Sequence, residues 1–290
     1  MLQNPHNRLL LALVAVVLLA ASISSRIQTS GGTVRIHDIK IPTQNGQWVA
    51  ADLFRPLNAT AETPAPLVVV VPGFQRSREA LANIAIELSR RGIVVISIDP
   101  YAQGRSSSSL SRMAATTEGY GMFAIVDYAA SSENLNYVDK SRIAATGHSA
   151  GGNAAIRGAN YFGRQALENG LPSKLHSVFV SGYVLTLRDE VLSDVRSNIG
   201  VSYALYDEGA YRNELKNGDM RTAPEALRVV NLGRSAHLPQ LTEVELGRYY
   251  GSPDDRTLRV IHNERILHPF QPYMPEATTN QLEFFETVFG

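Results

Sequence analysis

The chain has 290 residues, and its 27 lysines and arginines balance its 27 aspartates and glutamates, so the formal net charge is zero. That balance excludes attraction to nucleic acid or acidic lipid by bulk charge, and we expect no nucleic-acid partner. The absence of cysteine excludes disulfides, thiolate metal sites and lipid attachment at a cysteine.

The N-terminus carries an unbroken apolar run over residues 9–21. It is shorter than the ~20 residues that span a bilayer comfortably, and it suits the apolar core of a signal peptide. Counting Ile23 and Ile27, it can also span as an uncleaved anchor. We expect residues 1–32 to be a signal or anchor segment with its linker, which contacts the membrane through residues 9–23. The rest of the chain then lies outside the cytoplasm, either attached to the cell membrane or exported.

The rest of the chain starts with a hairpin pattern and continues with strands and helices in alternation. Strands are predicted over residues 33–41, 48–54, 67–71, 93–98, 141–146, 176–183, 199–205 and 257–262. Helices are predicted over residues 77–91, 120–130, 153–162, 187–196 and 224–230, with a last one opened by a capping box at Thr278 and Gln281. Residues 101–113 form a predicted loop, and residues 233–255 an insertion or lid. This order predicts one α/β domain over residues 33–290, with a mostly parallel sheet and helices on both faces.

One stretch carries a chemical motif. Residues 147–152 read Gly-His-Ser-Ala-Gly-Gly and fit the G-x-S-x-G nucleophile elbow, in which a serine lies on a sharp turn between a strand and a helix. Glycines flank the serine because a Cβ there would collide with the neighbouring strand and helix. The predicted strand before the motif and helix after it agree with this geometry, so Ser149 is the candidate nucleophile. The alternative is a tight glycine-rich turn with an idle serine.

With this motif in place, the chain from about residue 33 to its end resembles the α/β-hydrolase superfamily. Residues 70–74 (Val-Val-Pro-Gly-Phe) resemble the strand and oxyanion loop of that family, with proline where histidine is usual. Residues 98–106 resemble its Asp-x-x-Gly-x-Gly-x-Ser loop with one glycine missing. Residues 138–152 resemble the dienelactone-hydrolase and peptidase-like branches, and residues 268–270 (His-Pro-Phe) resemble membrane-tethered bacterial members, which slightly favours a retained anchor.

The resemblance implies a catalytic triad in the chain order serine, acid, histidine. Asp207 follows a predicted strand where the acid of the family usually lies, with Glu208 as its alternative. His268 follows the last strand and is the candidate base. His237 and His262 are the alternative candidates for the base.

The oxyanion hole needs two backbone donors, for which the candidates are the N–H groups of Phe74 and Ala150. The side chain of Phe74 is free to pack into the core. Arg76 and Arg78 lie beside the same loop and are expected on the surface, with binding of a substrate carboxylate as the alternative.

Two function classes follow from these residues. The first is a serine hydrolase that cleaves an ester, amide or peptide bond of a small-molecule or peptide substrate through an acyl-enzyme. The second is a non-catalytic hydrolase-like domain outside the cytoplasm, tethered to the membrane and serving a partner protein. The sequence has no H-E-x-x-H, phosphate-binding or dinucleotide-binding signature, so we expect neither a metal nor a cofactor.

Overall fold

The computed structural model describes residues 4–232 and 238–290. Its strands are β1 (Val34–Pro42), β2 (Trp48–Pro56), β3 (Ala65–Val71), β4 (Val94–Ile98), β5 (Val138–His148), β6 (Ser177–Ser181), β7 (Asn198–Ala204) and β8 (Arg259–Glu264). Its α-helices are α1 (Pro5–Gln28), α2 (Ala82–Arg90), α3 (Ala114–Thr117), α4 (Met122–Ser131), α5 (Ala150–Asn169), α6 (Asp189–Leu192), α7 (Pro224–Asn231) and α8 (Pro275–Phe289). Short 3₁₀ segments include Arg78–Leu81 and His268–Tyr273.

All eight of these strands form one sheet in the order β1-β2-β4-β3-β5-β6-β7-β8. Strand β2 pairs antiparallel with both neighbours, and every pairing from β4 to β8 is parallel. The predicted hairpin and the predicted α/β class with a mostly parallel sheet are therefore confirmed. Loops that follow β3, β5, β7 and β8 all leave from the carboxyl edge of the sheet, which brings distant parts of the sequence together there.

The sheet is buried on both faces. Along β3, Val69 and Val71 join one apolar cluster with α4 and α5, whereas Val68 and Val70 join a second cluster with α2 and α8. Successive side chains of a strand point to opposite faces, so an unbroken apolar strand needs cover on both sides. The continuous apolar run of residues 67–71 therefore indicates a strand at the centre of the sheet.

The predicted helix over residues 187–196 and the predicted start of the last helix differ from the structure. The segment 187–196 forms only the four-residue helix α6. The carbonyl of Val191 accepts a hydrogen bond from the side chain of Asn160 in α5, and the N–H of Val195 donates to the carbonyl of Leu192 and not to that of Val191, which a continued α-helix would require. The predicted capping box is wrong. Helix α8 begins earlier, at Pro275, whose missing N–H and fixed φ suit a first helical position.

The N-terminal helix α1 is longer than the apolar run that predicts it. This helix of 24 residues is long and apolar enough to cross a membrane, by length and composition, and none of its side chains is buried against the domain. At its end, the carbonyl of Ile27 accepts a hydrogen bond of 3.2 Å from Arg90, the last residue of α2. Because α2 ends at the amino edge of the parallel strands, α1 joins the domain at the edge opposite the carboxyl-edge loops.

Buried histidine gives the fold a pH dependence that can be measured. His262 lies within β8, its ring 6.4 Å from that of Phe179, and burial lowers its pKa from 6.5 to about 4. Between pH 6.5 and about 4 the unfolded chain therefore binds more protons than the folded chain, so the free energy of unfolding falls as pH falls, by roughly 3 kcal/mol for this ring.

We predict that His262→Phe, which keeps an aromatic ring against Phe179, flattens this loss of stability. The measurement is the thermal unfolding midpoint of the full chain from pH 7.5 to pH 4.5. His37→Gln, a change at an exposed histidine, is the control and should leave the slope of the wild type unchanged. A slope that His262→Phe does not alter contradicts the prediction.

Candidate active site

A strained turn sets the position of Ser149. It lies between the end of β5 and the start of α5 with φ 58° and ψ −116°, and its N–H donates to the carbonyl of Ser181 at 2.8 Å. A Cβ on Gly151 would collide with the carbonyl oxygen of Val71, and a Cβ on Gly147 would collide with Gly151. Glycine at both positions thus lets α5 approach β3 and β5 closely enough to hold the serine in this conformation.

The structure brings Asp207 and His268 together from the loops after β7 and β8. His268 Nδ1 donates to Asp207 Oδ2 at 2.9 Å, and Asp207 Oδ1 accepts the N–H of Gly209 at 2.6 Å. Burial acts to raise the pKa of Asp207, but these hydrogen bonds outweigh it and hold that pKa below its usual value. Asp207 is therefore an ionised and almost inaccessible partner for the imidazole, with 5% of its side chain exposed. Its neighbour Glu208 is exposed instead.

A second imidazole lies against the first. The ring of His148, the residue before the nucleophile, lies 4.5 Å from the ring of His268, centroid to centroid. Burial and, to a smaller extent, the neighbouring His268 lower the pKa of His148 to about 3. His148 is thus neutral at physiological pH, and it limits the movement of the His268 ring without placing a second charge beside it.

A buried polar network holds the segment that carries His268. Glu264, at the end of β8, is 2% exposed, and its carboxylate accepts hydrogen bonds from Ser202, Gln271 and Asn280. Gln271 also donates to the hydroxyl of Ser202 at 2.7 Å. These bonds join the 3₁₀ segment His268–Tyr273 to β7, β8 and α8. The sequence contains no motif for this network, because topology alone brings its members together.

Ser149 and His268 line the same cavity of about 150 Å³, together with Phe74, Arg76 and Tyr273. Among the described residues, no hydrogen bond joins the hydroxyl of Ser149 to His268. The cavity therefore contains the candidate nucleophile and the candidate base in a shared space, and Asp207 lies behind the base.

Both candidate oxyanion donors have a free N–H. Ala150 is the first residue of α5, and Phe74 lies in the turn after β3; neither N–H has an acceptor within the described part of the chain. Phe74 is 68% exposed, so the alternative that its side chain packs into the core is wrong. The N-terminus of α5 adds the partial positive charge of the helix dipole at this place.

The expected surface position of Arg78 is also wrong. Arg78 is 5% exposed and forms ion pairs with Asp38, Asp52 and Asp99, while its N–H donates to Asp99 at 2.9 Å. Arg78 therefore anchors the chain after β3 to β1, β2 and the end of β4. Arg76 is exposed, as expected, and lies at the wall of the cavity.

The two remaining histidine candidates have different outcomes. His262 is buried within β8, beside the ring of Phe179. His237 lies outside the described residues, as does part of the predicted lid, residues 233–237. Within the ranges 4–232 and 238–290, no group of three or more histidine, aspartate and glutamate side chains is arranged to hold a metal ion.

Comparison with known proteins places this geometry in a family context. A family model described as PET hydrolase-like matches residues 20–203. No curated protein matches significantly.

Solved structures resemble the chain at low sequence identity. An esterase of Pyrococcus furiosus is 13% identical with a TM-score of 0.61, and the match covers 90% of this chain and 96% of the esterase. A dienelactone hydrolase-like promiscuous phosphotriesterase from metagenomic libraries is 14% identical with a TM-score of 0.59, and the match covers 89% and 100% of the two chains. At these identities the likeness establishes the fold, which is the α/β-hydrolase fold expected from the sequence.

Proposed function

Because the chain belongs to the PET hydrolase-like family, we propose that it is a serine hydrolase that cleaves ester bonds through an acyl-enzyme on Ser149. The observation that carries the proposal is the hydrogen bond between Asp207 and His268, beside a cavity that Ser149 also lines. The family description favours an ester over the amide and peptide bonds that the sequence alone leaves open.

The hydrogen bond fixes the roles of the two imidazole nitrogens. With Nδ1–H held by Asp207, His268 carries its free electron pair on Nε2. In the proposed reaction Nε2 takes the proton from the Ser149 hydroxyl as its oxygen attacks the ester carbonyl, and later returns that proton to the leaving alcohol. The Asp207 carboxylate stabilises the imidazolium that forms between these steps, and water then hydrolyses the acyl-enzyme.

The tetrahedral intermediate needs donors for its negative oxygen. We assign this role to the backbone N–H groups of Phe74 and Ala150, which lie at the end of β3 and the start of α5. Backbone donors at a helix N-terminus are fixed before the reaction begins, so they stabilise the developing charge without reorganising. The exposed ring of Phe74 then lies at the cavity mouth, where it can contact an apolar substrate.

The position of α1 indicates how substrate arrives. We propose that α1 is retained as a membrane anchor, with the domain outside the cytoplasm. Helix α1 joins the amino edge of the sheet, whereas Ser149 and His268 lie beyond the carboxyl edge. The cavity therefore faces away from the anchored side, and its substrate comes from the aqueous phase and not from the bilayer beneath.

The first prediction concerns the nucleophile. Ser149→Ala removes the only hydroxyl that the elbow presents, so the full chain should lose labelling by a fluorophosphonate and lose roughly 10⁴-fold or more in turnover of a short-chain aryl ester. Ser193→Ala, at an exposed serine of another loop, is the control and should label normally. Persistent labelling of the Ser149→Ala chain would exclude this serine as nucleophile.

The second prediction separates the two neighbouring carboxylates. Asp207→Asn removes the charge that faces His268 and favours the wrong imidazole tautomer, so kcat should fall on the order of 10³-fold to 10⁴-fold. Glu208→Gln changes an exposed carboxylate and should reduce kcat less than about threefold. Steady-state kinetics on one ester substrate gives both values, and a reversed order would make Glu208 the acid.

The third prediction concerns the anchor. Mature protein recovered from membranes should retain the whole of α1 and resist extraction at alkaline pH. N-terminal sequencing decides between the two forms, and a mature chain that starts near Ser25 would mean a removed signal peptide and a released enzyme.

A further inference from the structure

A second and larger cavity lies at the amino edge of the sheet. Its volume is about 550 Å³, within the range of small-molecule sites, and the end of α5 and the loop after it supply apolar walls, including Leu167 and Leu171. The cavity also contacts Arg259, the first residue of β8, whose last residue is Glu264. At ~3.3 Å per residue, the strand separates this cavity from the carboxyl edge by roughly 17 Å. The two cavities are therefore distinct.

Arg259 is a buried cation that has no carboxylate partner in the described part of the chain. It is 3% exposed, and its Nη1 donates to the backbone carbonyls of Ser197, Arg256 and Leu258. Its Nε has no partner among the described residues. Burial lowers its pKa to about 10, so the guanidinium is still charged at neutral pH. A buried charge with incomplete pairing is costly, and a bound anion would relieve that cost.

Other polar groups of the cavity agree with an anionic ligand. Ser173 is 4% exposed, and its hydroxyl has no partner within the described ranges. Arg256 lines the same wall and donates to the carbonyl of Ser173 at 2.7 Å. Asp255 also lines the cavity, but it is exposed and forms no ion pair with either arginine in the described structure.

We propose that this cavity binds an amphipathic anion, whose carboxylate or phosphate pairs with Arg259 and whose apolar chain lies along Leu167 and Leu171. The arginine and the Ser173 hydroxyl provide charge-assisted and neutral hydrogen bonds to the head group. The apolar walls then remove the chain from water. Such a ligand is a free long-chain anion or an anionic lipid, since α1 also joins the domain at the amino edge.

The test is photo-crosslinking on the full chain in phosphatidylcholine nanodiscs. The probe is a twelve-carbon carboxylate with a diazirine in its chain, and peptide mass spectrometry locates the adduct. Adducts should fall on residues 166–173 and 195–196, and the corresponding fatty alcohol should give roughly tenfold fewer, because it lacks the charge that pairs with the arginine. Equal labelling by carboxylate and alcohol would overturn the proposal.

Two variants and a control locate the interaction. Arg259→Gln removes the cation and should reduce labelling about tenfold. Leu171→Glu places a negative charge at an exposed residue of the cavity wall, so it should reduce labelling to a similar extent by repelling the anion. This change leaves the hydrogen bonds of Arg259 to backbone carbonyls intact. Leu57→Glu is the matched control at an exposed leucine outside the cavity, and this variant should label normally. Unchanged labelling of Leu171→Glu contradicts the site. Competition by phosphatidylglycerol nanodiscs would identify a membrane lipid as the source of the anion. Competition by free dodecyl phosphate alone would identify a soluble anion as the source.

Discussion

The close approach of α5 to β3 is the constraint on which the site depends. The backbone of α5 contacts the end of β3 so tightly at Gly151 that no side chain fits between them. This contact forces the turn at Ser149 into a φ of 58°, and the hydrogen bond to Ser181 holds it there. Strain of this kind persists only where the surrounding structure determines it, and here the strand ends next to the turn, Val71 of β3 and His148 of β5, are both buried.

The other half of the site is held by hydrogen bonds instead of backbone packing. His268 lies in a 3₁₀ segment, which by itself fixes a side chain poorly, and three sets of contacts compensate. Asp207 binds its Nδ1, the ring of His148 packs against its ring, and Gln271 ties the segment to Glu264. A rigid serine and a supported imidazole therefore line one cavity, and proton transfer between them requires that the two groups come within hydrogen-bond reach there.

Much of this architecture could be predicted because local pattern and tertiary structure agree. The continuous apolar run at residues 67–71 indicates a strand covered on both faces, and the glycines around Ser149 indicate a close turn. The acid and base candidates then follow from the superfamily resemblance, which gives the chain order. The structure brings Asp207 and His268 into contact, and their catalytic roles remain a proposal.

What could not be predicted arises from contacts between distant residues. Nothing in the sequence pairs Glu264 with Ser202, or Arg78 with three aspartates from three different strands or loops. The capping pattern of Thr278 and Gln281 predicts that helix α8 begins four residues late, whereas Pro275 is the better first residue of a helix. Short motifs compete at helix ends, and packing against the rest of the domain decides between them.

The central claim is that Ser149 and His268 act as one unit. The direct measurement is kcat/KM for an aryl ester with Ser149→Ala, His268→Ala and the double variant, each checked for folding by circular dichroism. We expect each single change to cost roughly 10⁴-fold or more and the double change to cost little beyond either. Losses that multiply in the double variant, or near-normal turnover by His268→Ala, would contradict it.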